Sequence, residues 1–133
     1  MKNVLVVDDE HIVLEVLQRI LSRLGYTVTV SDSGDVALKQ FAEDVFDLVL
    51  MDVLMPERNG FEIAREMKQI KPDQKIVLVT GIGADAAAAQ AHSEHIGIDY
   101  VLSKPFSYDK VRTVVASALK GKNQLVDNGL LYS

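Results

Sequence analysis

The sequence predicts a doubly wound α/β domain, with a five-stranded parallel sheet in the order 2-1-3-4-5 and five helices covering its two faces. Strand-like apolar runs alternate with helix-period stretches five times along the chain. Strict β-α alternation demands parallel strands joined by right-handed crossovers. Three of the runs, at 4–7, 47–52 and 76–80, are essentially continuous in apolar residues, as strands buried on both faces are. The other two, at 26–30 and 100–102, alternate or are short, which suits edges and leaves the second and fifth strands outermost.

Val4-Leu5-Val6-Val7 is the first central strand and runs into Asp8-Asp9-Glu10. Val13, Val16, Leu17, Ile20, Leu21 and Leu24 then recur at helical spacing, and Gly25 stops that helix just past its C-cap. Tyr26-Thr27-Val28-Thr29-Val30 alternates apolar and polar, as an edge strand does. Ser33 is the expected N-cap of a helix carrying Val36, Ala37, Leu38, Phe41 and Ala42. The run 47–52 ends in a carboxylate, and Pro56, with no N–H and a fixed φ, prevents its continuation. After the Asn59-Gly60 turn, Phe61, Ile63, Ala64, Met67 and Ile70 mark a third helix, closed by Lys71-Pro72-Asp73. Ile76-Val77-Leu78-Val79-Thr80 is the next central strand, followed by the loop Gly81-Ile82-Gly83. A helix over 84–96 rests on the run Ala86-Ala87-Ala88-Ala89, which has high helix propensity. The short fifth strand leads through Ser103-Lys104-Pro105-Phe106 to a last helix, capped by Ser107, carrying Val111, Val114, Val115 and Ala118 and ending near Gly121.

A chain of 133 residues favours one domain, expected over 1–121, with 122–133 as a C-terminal tail or the start of a linker. The net charge of −5 supplies no basic face and argues against direct nucleic-acid binding. No cysteine is present, so thiolate chemistry and disulfides are excluded. Neither a signal peptide nor a membrane span is visible, so the cytoplasm is the expected location and no membrane association is expected.

In a parallel sheet every strand delivers its C-terminal residue to one edge, where ligands bind. The first strand brings Asp8, Asp9 and Glu10 there, the third Asp52, the fourth Thr80, and the fifth is followed by Lys104. Clustered carboxylates repel and need protons or a cation. A hard divalent ion such as Mg2+ suits a few carboxylates plus water and a phosphate. A carboxylate can also attack phosphorus and form an aspartyl-phosphate. Taken singly, each feature has a plainer reading. Asp8-Asp9 could be a solvated helix start, Thr80 an ordinary strand residue, and Lys104 a surface lysine. His11 is expected to be exposed, and His92 and His95 to lie on a solvated helix face without a third metal ligand.

Asp8-Asp9, Asp52 with Met55-Pro56 and Gly60, Thr80 and Lys104-Pro105-Phe106, in that order and each at the end of its own strand, resemble the response-regulator receiver domain of two-component signalling. The resemblance covers about residues 2–120 and implies a flavodoxin-like fold. It implies Asp52 as phosphoacceptor. It also implies Asp9 as a direct Mg2+ ligand, Asp8 contributing directly or through water, and the Leu54 carbonyl as a further ligand. Thr80 and Lys104 would contact the phosphoryl group, with a cis Lys104–Pro105 bond. The donor would be a sensor histidine kinase or a histidine phosphotransfer domain. The output face would comprise the fourth helix, fifth strand and fifth helix, and would meet a downstream protein or a second copy. On this reading the chain is a signalling module rather than an enzyme.

Four positions depart from the family pattern. Val101 stands where receivers often have an aromatic residue, and Tyr100, one position earlier, points to the other face of the strand, which argues against aromatic switching. Gly81 replaces the usual alanine or serine after the threonine. Leu54 and Ile82 are apolar where flanking residues are often polar, and are expected to hinder a water attacking the phosphoryl group. The alanine-rich helix buries little area and is expected to be the least well anchored. Two other classes are an Mg2+-dependent phosphatase or transferase using Asp52 as nucleophile, and a flavin-binding domain. The first lacks substrate-binding insertions, and the second lacks a phosphate-cradling loop after the first strand.

Overall fold

The computed structural model describes residues 1–81, 95–98 and 100–120. One five-stranded parallel sheet, ordered β2-β1-β3-β4-β5, forms its centre. The strands are β1 (Asn3–Val7), β2 (Thr27–Ser31), β3 (Leu48–Asp52), β4 (Ile76–Thr80) and β5 (Tyr100–Ser103). The order and the two edges agree with the sequence reading. Every residue of β3 and β4 is buried, whereas β2 is only partly so. Continuity against alternation in the sequence therefore separates centre from edge correctly.

Period-two alternation divides the core into two layers. Leu5, Val7, Met51 and Leu78 point to one face, where they meet Phe41 of α2 (Gly34–Glu43) and Ile63 and Met67 of α3 (Gly60–Ile70). Val4, Val6, Leu50 and Val77 point to the other, where Leu17 and Leu21 of α1 (His11–Arg23) and Val111 and Val115 of the last helix, Tyr108–Lys120, cover them. Burying each such side chain contributes about 1.5–3 kcal/mol before entropy is counted.

The helix boundaries have local causes. Gly25, at φ +95°, takes the left-handed conformation that ends α1. The Ser33 hydroxyl accepts from Val36 N, Asn59 Oδ1 from Phe61 N at 2.7 Å, and Ser107 Oγ from Lys110 N at 3.1 Å. Lys71 Nζ donates to the carbonyls of Phe41 and Asp44 and so closes the end of α2.

The apolar stripes are narrower than the sequence suggests. Val16, Val36, Ala42 and Ile70 are exposed. Leu14, Leu17 and Leu21 form the buried row of α1, and Val16 sits about 100° around the helix from Leu17. The fourth helix of the sequence reading lies mostly outside the described residues. Its last two residues, His95 and Ile96, are helical, and Gly97 at φ +82° follows them. Ile82, the alanine run, His92 and the 122–133 tail are likewise outside them. Among the described residues no helix is long and apolar enough to cross a membrane.

Candidate functional site

The C-terminal ends of β1, β3 and β4 and the loop after β5 form one crevice. Asp8 directly follows β1, its N–H donating to Ser31 O at 3.1 Å. Its Oδ1 accepts from Glu10 N at 2.9 Å, which fixes the carboxylate at the start of α1. Asp52 is the last residue of β3 and is 4% exposed. One oxygen each from Asp8, Asp9 and Asp52 lies within 4.8 Å of the others.

The turn after Asp52 is tightly constrained. Gly60 N donates to Val53 O at 2.8 Å, which returns the chain onto the end of β3. A Cβ at Gly60 would overlap the Asp52 carbonyl oxygen and approach Val53 Cα to 2.9 Å. Only glycine allows the start of α3 to lie so close to the strand that carries Asp52. Leu54 follows in this turn, 59% exposed, two residues beyond Asp52.

Lys104 enters from the opposite side. Its N–H donates to Thr80 O at 2.7 Å, and the Lys104–Pro105 bond is cis. Its Nζ lies 3.2 Å from Asp8 Oδ2, 3.3 Å from Asp52 Oδ1 and 3.2 Å from Glu10 Oε1. Hydrogen-bond alignment holds for Asp52 and Glu10. Asp8 Oδ2 is an ion-pair contact only and has no hydrogen-bond partner among the described residues. Thr80, one residue beyond the partner of Asp52 on β4, is buried, and its hydroxyl has no hydrogen-bond partner among the described residues.

Burial, then the charge of Asp8, pushes the Asp52 carboxyl up from 3.8 to about 7, although Lys104 draws it down. Burial likewise raises Asp8. Burial alone would lower the Lys104 ammonium, but the facing charges of Asp52 and Asp8 and the Glu10 and Asp8 contacts outweigh it and raise the group. One ammonium therefore faces more negative charge than it can neutralise. Oxygen-only donors, two of them buried, with an Asp8 oxygen lacking a hydrogen bond, fit a hard divalent cation of the Mg2+ type.

The structure brings Asp8, Asp9, Asp52 and Lys104 together, with Thr80 on the neighbouring strand at the same sheet edge and Leu54 two residues beyond Asp52. Its faces also match the reading of β5: Val101 packs with the α2–α3 layer and Tyr100 with the opposite one. His11 is exposed and pairs with Asp32 at 2.9 Å, and His95 is exposed. Two arrangements escape the sequence. Arg58, in the β3–α3 turn, bonds Asp35 of α2 at 3.1 Å and Glu66 of α3. Glu10 pairs with Lys104 across 94 residues. Neither has a periodic signature. Only the topology, which puts the ends of β1 and β5 on one edge, hints at the second.

Comparison with known proteins adds a family. A family model described as the response regulator receiver domain matches residues 4–116. The response regulator receiver protein CpdR of Brucella abortus is 39% identical over 106 residues, 80% of this chain and 87% of that protein. The transcriptional regulatory protein ZraR of Escherichia coli is 35% identical over 88% of this chain but only 26% of its own length. Among solved structures, the response regulator TrrA of Thermotoga maritima in complex with Mg2+–BeF superposes with a TM-score of 0.79 at 34% identity, covering 89% of this chain and 99% of that one. A CheY-like receiver domain from Methanospirillum hungatei gives a TM-score of 0.84 at 25% identity, covering 90% and 94%.

Proposed function

The chain belongs to the response-regulator receiver family, and from that premise we propose that Asp52 is its phosphoacceptor. As a receiver domain of a two-component response regulator, it acts as a phosphoacceptor and signal switch rather than through turnover of a substrate. Family membership does not favour the phosphatase or transferase alternative. The observation that carries the assignment is the buried Asp52 carboxylate, held at a strand end between two other acids and the Lys104 ammonium.

In the proposed reaction an Asp52 Oδ attacks the phosphorus of a phosphohistidine on a sensor kinase or phosphotransfer domain. A P–O bond forms as the P–N bond breaks, and the released imidazole takes up a proton. Asp8, Asp9, Asp52 and the Leu54 carbonyl would hold Mg2+, which when bound offsets negative charge on the carboxylates and the phosphoryl oxygens. Lys104 Nζ, already 3.3 Å from Asp52 Oδ1, donates to a phosphoryl oxygen. The Thr80 hydroxyl, buried without a hydrogen-bond partner among the described residues, gains an acceptor when that group arrives. Its turn toward the phosphoryl group would carry the change to β5 and the last helix, where a downstream protein or a second copy would bind.

The domain is proposed to span 1–121 and to work in the cytoplasm without direct contact with nucleic acid. The chain spans about a quarter of ZraR and half of the Bacillus subtilis regulator PhoP. The test is intact mass after treatment with acetyl phosphate and Mg2+. Wild type should gain the mass of one phosphoryl group and Asp52→Ala none. Equal labelling of the two would refute the assignment.

A further inference from the structure

We propose that Glu10 is a positioning residue that competes with the phosphoryl group for Lys104, holding the lysine in its resting place and setting how readily Asp52 accepts phosphate. This rests on the phosphoacceptor reading above. A lysine ammonium has three N–H donors, and here three carboxylates surround it: Asp8, Asp52 and Glu10, at 3.2, 3.3 and 3.2 Å. Two of its donors are aligned on Asp52 and Glu10, and Asp8 Oδ2 stands at ion-pair distance without a hydrogen bond. A phosphoryl group turns the Asp52 carboxylate into an acyl phosphate and places its oxygens beyond it, so the ammonium shifts toward them and either Asp8 or Glu10 gives way.

Burial decides which one leaves. Asp8 is almost wholly buried, and its charge has no solvent to return to. Glu10 is 62% exposed at its side chain, lies just ahead of α1, and loses little by swinging into water. Its backbone N–H stays bonded to Asp8 Oδ1, so the swing does not disturb the acid beside it. The exchange thus has a defined path: Lys104 drops the Glu10 oxygen and takes a phosphoryl oxygen. Glu10 makes the resting state more favourable by the strength of that one pair, and Asp52 phosphorylation is opposed by the same amount.

The probe is beryllofluoride with saturating Mg2+, titrated by calorimetry into wild type, Glu10→Gln, Lys104→Ala and the double variant. Glu10→Gln should bind beryllofluoride about three- to ten-fold more tightly, the scale of one partly solvated ion pair. In the Lys104→Ala background the same Glu10 change should have no effect, because the competition acts through the lysine. Equal affinity for wild type and Glu10→Gln overturns the proposal. So does a Glu10 effect that persists without Lys104, since that marks simple charge repulsion of the anion. If wild type itself binds no beryllofluoride, the phosphoacceptor reading fails instead.

Discussion

At the scale of single residues, the site works because Asp52 is a carboxylate in a place hostile to its charge. Burial and Asp8 raise it to about 7 from an ordinary 3.8. The folded protein thus binds that proton more tightly than the unfolded chain does. Its contribution to stability is complete below about pH 4 and is lost as pH rises through 7. Without divalent cations, wild type should melt at lower temperature at pH 8 than at pH 5, and Asp52→Asn should flatten much of that slope. Mg2+ should restore stability at pH 8 in wild type but far less in the variant. Thermal melts in chelator and in Mg2+ decide it, and identical pH slopes in the two proteins would rule out the Asp52 proton as their cause. Leu54 makes a second residue-scale claim. Leu54 is exposed two residues from Asp52, where it would hinder the in-line approach of water to the proposed phosphoryl group. Leu54→Asn should speed loss of the phosphoryl group several-fold, read as decay of the phosphorylated mass, and an unchanged decay would sink the idea.

Among the elements, the turn between β3 and α3 matters most. Gly60 lets the start of α3 meet the Asp52 backbone, Asn59 caps the helix, and Arg58 ties the turn to both Asp35 and Glu66. Gly60→Ala would force a methyl group against the Asp52 carbonyl, displacing backbone rather than a flexible side chain. The expected cost is about 1–3 kcal/mol, with weakened Mg2+ binding, measured by urea unfolding and by calorimetry. A variant with wild-type stability and Mg2+ affinity would show that the close approach is not needed. Much of this turn is legible in the sequence: Pro56 ends the strand and Asn59-Gly60 opens the helix for reasons of backbone chemistry alone. The Arg58 clamp is not, because it depends on where α2 comes to lie. The apolar stripes come out too wide for a related reason. Hydrophobicity alone includes Val16, Val36, Ala42 and Ile70, but only packing sets how broad a face the sheet covers.

Across the whole molecule, strand order is legible because burial on two faces leaves a continuous apolar run and burial on one leaves alternation. That order is enough to place four separated segments at one edge, so it assembles the carboxylates and Lys104 correctly from sequence alone. Topology does not fix which carboxylate engages which N–H of the lysine. The pairing of Glu10 with Lys104 emerges only from side-chain positions. The central claim, that this edge exists to carry a phosphoryl group on Asp52, is tested most directly by locating the acyl phosphate. Protein treated with acetyl phosphate and Mg2+ is reduced with borohydride, which converts an acyl phosphate to an alcohol, and its peptides are weighed. Homoserine at position 52 alone is the expected result. Reduction at Asp8 or Asp9 instead, or at no carboxylate, would contradict it.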